Sequence, residues 1–431
     1  NNGEVFRIMA SNAKNLAELL NTDSTVAVGD IADGSVSTAK LADDAVTNAK
    51  IGANAVGTTE IADDAITSAK SDGSLGIGKN VIINGAMTVA QRSTSTAGIG
   101  ASHGYFTCDR WYIYSANNAG RLTMSQDTDA PDGFSKSLKL ACTTADTSIG
   151  ANESLQLTQK IESQNMQHFK KGTSGALGYA LSFYVKGNAA ATYVAELEDF
   201  DNGSRHVGKT FNVTTSWNRV SIIYPGDTTG VLGEDSNAGI GLNIHLHAGS
   251  FNTGGTLRET WGTISQADRV GGGKTSFFDS TNRTFFITGV KLEPIQVTDF
   301  EHRSFAEELS LCQRYYYKNM DSPPADNIPN TDNTSGNGYM GFIMYSNSSG
   351  RTPYFYFPVE MRADPTITVY SSERANTSGR FAIFTGAWGA TTSTTPTVDV
   401  KRVGFSITTS GGTGNGYGYL MAGGFDAAAE L

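Results

Sequence analysis

From Val26 to Ile66 a branched aliphatic residue stands at every fifth position: Val26, Ile31, Val36, Leu41, Val46, Ile51, Val56, Ile61 and Ile66, with small polar residues between. A helix would smear anchors spaced by five around its surface, and an unbroken strand would send successive anchors to opposite faces. A turn must therefore interrupt each unit. Between Ile31 and Lys70 the pattern forms four ten-residue blocks. Their third and fourth positions, Asp33-Gly34, Asp43-Asp44, Ala53-Asn54 and Asp63-Asp64, suit turns that return the next anchor to the same side. A stack with one repeat per level has no opposing surface of its own, so three parallel chains around a threefold axis are expected to supply it. A disordered Ala/Asp/Thr linker is the competing reading, against which the strict register argues.

Elsewhere the periods are ordinary. Over residues 5–21, Phe6, Met9, Ala13, Leu16, Leu19 and Leu20 fall at helical spacing. From about 80 to 300, alternating β-rich runs predict strands at Tyr105–Tyr114, Ser137–Ala141, Leu155–Ile161, Tyr179–Val185, Tyr193–Leu197, Trp217–Tyr224, Gly239–His247 and Thr284–Leu292. Leu181, Phe183 and Val185 share one face, as do Leu242, Ile244 and Leu246, which calls for two sheets packed face to face. In 302–318, Phe305, Leu309, Cys312 and Tyr316 mark a helix face, opened by Ser304 three residues before Glu307. The expected organisation is an N-terminal helix (1–22), a repeat shaft (23–72), a β-sandwich (79–301), a connecting helix (302–320), a linker (321–335) and a β-rich tip (336–431).

Composition narrows the class. With 49 glycines, 10 prolines and 17% charged residues, the chain is expected to be mainly β with many turns. A net charge of −10 without a basic run argues against nucleic acid or an anionic membrane as partner. No apolar run is long enough to span a bilayer. Three cysteines, Cys108, Cys142 and Cys312, show no metal spacing and suggest no disulfide framework, consistent with folding in a reducing cytoplasm. The chain starts at Asn1 with no signal-peptide pattern, which is compatible with a missing upstream segment.

The stretches Asn80-Val-Ile-Ile-Asn-Gly-Ala-Met-Thr-Val-Ala-Gln-Arg92, Asp109-Arg-Trp111, Leu181-Ser-Phe-Tyr-Val-Lys186, Gly289-Val-Lys-Leu-Glu293 and Phe300-Glu-His-Arg-Ser-Phe-Ala-Glu-Glu-Leu-Ser-Leu-Cys-Gln-Arg-Tyr-Tyr317 resemble bacteriophage tail fibre proteins over roughly residues 80–320. The resemblance implies a jelly-roll module similar to carbohydrate-binding modules, a helix leading to a variable tip, and a homotrimeric fibre. Such a fibre would join an upstream tail or baseplate protein through its N-terminus and adsorb the virion to bacterial surface polysaccharide or lipopolysaccharide. It would be assembled in the host cytoplasm, without cofactor or membrane insertion. Two rivals are a depolymerase tail spike and a purely structural connector.

Candidate chemistry is sparse. Gly100-Ala-Ser-His-Gly104 has the letters of a nucleophile elbow but leads into a strand-like run rather than a helix. Glu196, Glu198, Asp199 and Asp201 could pair as glycosidase carboxylates, and Asp199 to Asp201 with Asn202 could hold calcium, but the cluster reads as solvated turn residues. Gly411–Gly416 reads as a flexible turn. Trp111 and Trp217 fall inside strand patterns and read as core. Sugar recognition needs aromatic planes and hydrogen-bonding groups. Its candidates are Trp261 and Trp388, each in a Gly/Thr-rich loop, Tyr417 and Tyr419 in a Gly-rich strand, and His245 and His247 on one strand face. That histidine pair could start a zinc site, but no third ligand is evident, so no metal and no catalytic residue is expected.

Overall fold

The computed structural model describes residues 80–319, 339–344, 348–371, 381–384, 388–390, 393–408 and 418–431, with isolated positions 41, 46, 47 and 51 before them. The N-terminal helix, most of the shaft and the 321–335 linker expected from the sequence lie outside the described residues. The chain divides into two compact units, Asn1–Leu75 and Gly76–Leu431. In the first, the shaft anchors Leu41, Val46 and Ile51 are exposed, by 44%, 53% and 44%.

The second unit opens with an antiparallel β-sandwich. One sheet has six strands in the order Ser95–Ile99, Arg121–Asp127, Ser137–Thr144, Thr284–Pro294, Tyr179–Gly187 and Asn218–Tyr224. The other has seven, in the order Gly262–Thr263, Arg205–Val213, Ala191–Asp199, Ala238–Ala248, Ser154–Glu162, Tyr112–Ala116 and Gly104–Tyr105. The chain crosses repeatedly between the sheets, as in a jelly roll. Leu181, Phe183 and Val185 of one sheet and Leu242, Ile244 and Leu246 of the other are fully buried in a single core cluster. Each such side chain contributes about 1.5–3 kcal/mol. The two alternations read from the sequence are the two inner faces of the sandwich. Trp111 is fully buried in that core. Trp217 is not core: it is half-buried, donates Nε1–H to Asp129 (3.0 Å), and has the Lys186 ammonium 5.4 Å above its ring. It precedes an edge strand, where a strand-like pattern does not bring burial on both faces.

The motif residues around Asn80–Trp111 form a buried polar knot. Asn84 accepts from Trp111 Nε1 (3.1 Å) through its carbonyl and from Val89 N–H (3.0 Å) through its side chain, while its amide donates to Val89 (2.8 Å) and Asp109 (3.0 Å) carbonyls. Gln91 N–H donates to Asp109 (2.9 Å). Burial pushes the Asp109 carboxyl up to about 6, against the Arg92 charge and the Gln91 hydrogen bonds.

The helix that follows spans Phe305–Gln313, shorter than the 302–318 pattern suggests, and Ser304 caps it by accepting from Glu307 N–H (3.2 Å). Its docking face is set by Glu308 and Cys312, both buried, whereas Phe305 is 61% exposed. The expected face holds at Cys312 and Tyr316 but not at Phe305, because a carboxylate, Glu308, anchors the first turn: it receives Arg303 Nη1 (3.3 Å) and the Asn84 N–H.

The tip, among the described residues, is a further antiparallel sheet with its own core around Phe381, Phe405 and Phe425. Its strand Gly418–Ala428 returns to pair with Tyr316–Lys318, in the register Tyr316↔Ala428. Arg362 closes this joint. It donates Nε–H to Ala429 O (2.8 Å), Nη2–H to Glu430 O (3.0 Å) and Nη1–H to Ser236 O of the sandwich (3.1 Å).

Candidate functional site

The outer face of the seven-stranded sheet carries the alternate residues of its strands. Pairing aligns them in rows: Tyr105, Tyr112, Thr158, Asn243 and Glu196; Tyr114, Gln156 and His245; Lys160, Gly241 and Glu198. The segment 249–276, with a short helix at Ser250–Thr253, folds over part of this face and leaves the rest open. Where the cover stops, a cleft of about 670 Å³ remains. Its floor is Gln156, Thr158, Lys160 and Asn243; the tyrosines Tyr105, Tyr112 and Tyr114 lie on one side and Phe251, Asn252, Gln266 and Arg269 on the other. Tyr114 is 40% and Phe251 52% exposed. Tyr105 meets Tyr112 edge-on at 4.9 Å and donates its hydroxyl to Leu431 O (3.1 Å); His103 stacks on Tyr114 at 5.9 Å.

Phe200 completes the site. An added Cβ on Gly241 would lie 2.7 Å from the Phe200 ring, so the missing side chain at 241 is what lets the ring lie on the sheet. The Lys160 ammonium stands 4.8 Å over that ring.

One wall is fastened by a buried charge cluster. Arg269 reaches Glu196 through Nε (3.0 Å) and Nη2 (2.5 Å), and Glu198 through Nη2 (2.6 Å). Glu196 also binds His206 Nδ1 (2.8 Å), His245 Nε2 (2.9 Å) and the Asn243 amide (3.1 Å). Burial works to raise the Glu196 carboxyl, but neighbouring His245 and Arg269 and the hydrogen bonds from both histidines prevail and hold it well below the usual range.

Several sequence expectations change. Most of the acidic cluster is not a solvated turn: Glu196 and Asp199 are fully buried and Glu196 to Asp199 lie within the strand Ala191–Asp199, while Asp201 is an exposed turn residue as expected. Asp199 is paired with Lys171 (2.6 Å), and Asp201 accepts from Ser163 Oγ (2.7 Å) and Gly233 N–H (2.8 Å). His245 and His247 share the outer face as expected, but both are 2% exposed under the covering segment. His247 binds Ser276 Oγ through Nδ1 (2.7 Å) and Glu153 through Nε2 (3.1 Å), and burial lowers its proton affinity. Ser276, His247 and Glu153 have the residue types of a hydrolytic triad, yet the adjoining cavity is about 30 Å³, room for a water. Ser102 lies in a bend that leads into the strand Gly104–Tyr105, without the helix a nucleophile elbow requires.

Trp261 is half-buried against the core, 5.7 Å from Tyr179, with Nε1–H donated to Pro225 O (2.8 Å). It does not line the cleft. Trp388 begins a strand, Trp388–Ala390, paired with Ala382–Phe384, rather than a loop. Tyr419 pairs with Phe342 in the tip sheet, and Tyr417 lies outside the described residues. Sequence reasoning missed Tyr112 and Tyr114, whose i, i+2 spacing inside a half-buried strand was the available signal, and Phe200 beside the acidic run.

No protein-family model matches this sequence, and no curated protein matches it. Solved structures do. One described as "CBM4 structure and function" is 13% identical, covering 49% of this chain and 97% of that one, with a TM-score of 0.27. The enzymatically active domain of tailspike protein 4 of bacteriophage CBA120 is 15% identical, over 50% of this chain and 21% of that one, with a TM-score of 0.26. A family 11 carbohydrate-binding module from Clostridium thermocellum, in complex with a β-1,3-1,4-mixed-linked tetrasaccharide, is 10% identical, over 44% of this chain and 91% of that one, with a TM-score of 0.24.

Proposed function

We propose that this chain is a bacteriophage tail fibre, a homotrimer along its shaft, and that the sandwich cleft binds a bacterial surface glycan without cleaving it. The cleft carries the reading. Pyranose rings offer C–H faces to aromatic planes and hydroxyls to planar polar groups, and this cleft sets Tyr112, Tyr114 and Phe200 beside Gln156, Asn243, Asn252 and Gln266. The half-exposed anchors Leu41, Val46 and Ile51 support the trimer, in which neighbouring chains would cover them and three weak cleft sites would gain avidity. The N-terminal part would join the upstream tail or baseplate protein.

Binding rather than hydrolysis is supported by the carboxylates. A glycosidase acid must hold its proton near neutral pH. Glu196 is pinned ionised, and Glu198 shares its arginine. Asp109 and Asp426, the described carboxyls held above their usual range, lie outside the cleft. The test is affinity electrophoresis of the full chain in gels containing purified bacterial surface polysaccharides. Retardation lost in Tyr112→Ala/Tyr114→Ala with folding intact is expected. Reducing-sugar release would replace this reading with a depolymerase, and a stable monomer in solution would remove the trimer.

A further inference from the structure

The cleft contains two kinds of charge in different circumstances. Arg269 pairs with both Glu198 (2.6 Å) and Glu196 (2.5 Å). Lys160 is different. Among the described residues no carboxylate oxygen lies within ion-pair distance of its ammonium, which is half-buried over the Phe200 ring. Its nearest cross-strand acid, Glu198, is two strands away across Gly241, and the Glu198 charge is already engaged. Burial, with smaller contributions from Arg110 and Arg362, outweighs Glu198 and lowers the lysine's proton affinity; Arg110 is itself paired with Glu430. Among the described residues Arg362 is hydrogen-bonded to backbone carbonyls, not to an acid. Burying an ammonium without a counter-charge is costly, and the chain as a whole carries −10. Lys160 is therefore a cleft cation that no described carboxylate holds directly, whereas Arg269 is shared by two.

We infer that the glycan taken by this cleft is anionic, with a carboxylate or phosphate substituent seated against the Lys160 ammonium while the sugar face lies on Phe200. This rests on the cleft being the glycan site. The arrangement provides what an acidic sugar needs: a point charge for the anion, an aromatic plane beside it, and the Gln156, Thr158 and Asn243 side chains along the floor for hydroxyls.

The test uses the full chain and a panel of purified acidic and neutral bacterial surface polysaccharides. Each retained polymer is measured again after carbodiimide–borohydride reduction, which removes carboxylates, and after hydrogen fluoride treatment, which removes phosphates. The retained polymers should be acidic. One of the two treatments, identifying the anion, should weaken binding roughly 10–100-fold. Lys160→Gln should weaken binding to the untreated polymer by a similar factor, and the two losses should not add. Retention of neutral polymers, or indifference to both treatments, with binding still lost in Tyr112→Ala/Tyr114→Ala, overturns the anionic ligand and leaves the cleft reading standing. No retention at all, or retention unaffected by the tyrosine substitutions, overturns the cleft reading and this inference with it.

Discussion

The Lys171 ammonium lies 2.6 Å from Asp199 Oδ2, and both side chains are fully buried. Asp227 (3.3 Å) and the carbonyls of Thr229 (2.9 Å) and Gly230 (2.8 Å) complete an all-oxygen cage. Such a donor set suits a hard metal cation, and here a lysine fills it. Lys171→Met should therefore cost about 3–5 kcal/mol by stranding the acids, read as a lowered denaturant midpoint. Chelator should leave the wild-type melting temperature unchanged. A drop on chelation would show that metal, not lysine, holds these loops.

Gly241→Ala tests the seat of Phe200. The new methyl must displace the ring, an overpacking strain of about 1–3 kcal/mol. Retention by whichever polysaccharide the wild type binds should fall roughly 2- to 10-fold, since aromatic contact of this kind is worth about 0.5–1.5 kcal/mol. Unchanged retention would take Phe200 out of the site.

Stability should depend on pH through His247. Burial leaves its proton affinity lower in the folded chain than in the unfolded one, where the value is near 6.5. Its contribution is thus complete above about 6.5 and is lost as pH falls through the depressed folded value. Glu196, held well below 4.5, adds a loss that begins below 4.5. Asp109 works the other way, since its folded value near 6 exceeds the unfolded 3.8 and stabilises the chain as pH falls between them. The difference between wild type and His247→Gln therefore isolates the histidine. It should shrink as pH falls below 6.5, and a constant difference would contradict the assignment.

Arg362→Ala tests the joint between sandwich and tip. Three backbone carbonyls lose their donor, at about 1–3 kcal/mol each where they stay buried. Calorimetry should show the tip melting earlier or separately. A single unshifted transition would mean that the strand pairing alone carries the joint.

The sandwich was largely legible because its inner faces alternate without exception at Leu181–Val185 and Leu242–Leu246. Arg121–Asp127 and Arg205–Val213 were missed: their inward residues, Leu122 and Met124 or Val207, Phe211 and Val213, stand among Arg, Asp, Gly and Lys that mask the period. The cleft was not legible as a site. It exists only because segment 249–276 covers part of a face whose residues come from strands far apart in sequence, and no local pattern records where that cover ends. The same cover explains why His245 and His247, correctly assigned to one face, are closed off from solvent. The residues that carried the family resemblance, Asn80 to Arg92 and Asp109 to Trp111, are legible for another reason. They satisfy one another's hydrogen bonds in a confined interior, so few other residues fit.

Because Tyr316–Lys318 and the end of Gly418–Ala428 lie side by side in register, the polypeptide leaves for the tip and comes home at one doorway. A replacement of the stretch between them would meet the body that holds the cleft at two adjacent seams, and to keep that body undisturbed it would have to supply what Arg362 gives Ser236, Ala429 and Glu430. Variation confined to that stretch would then leave the cleft as it is.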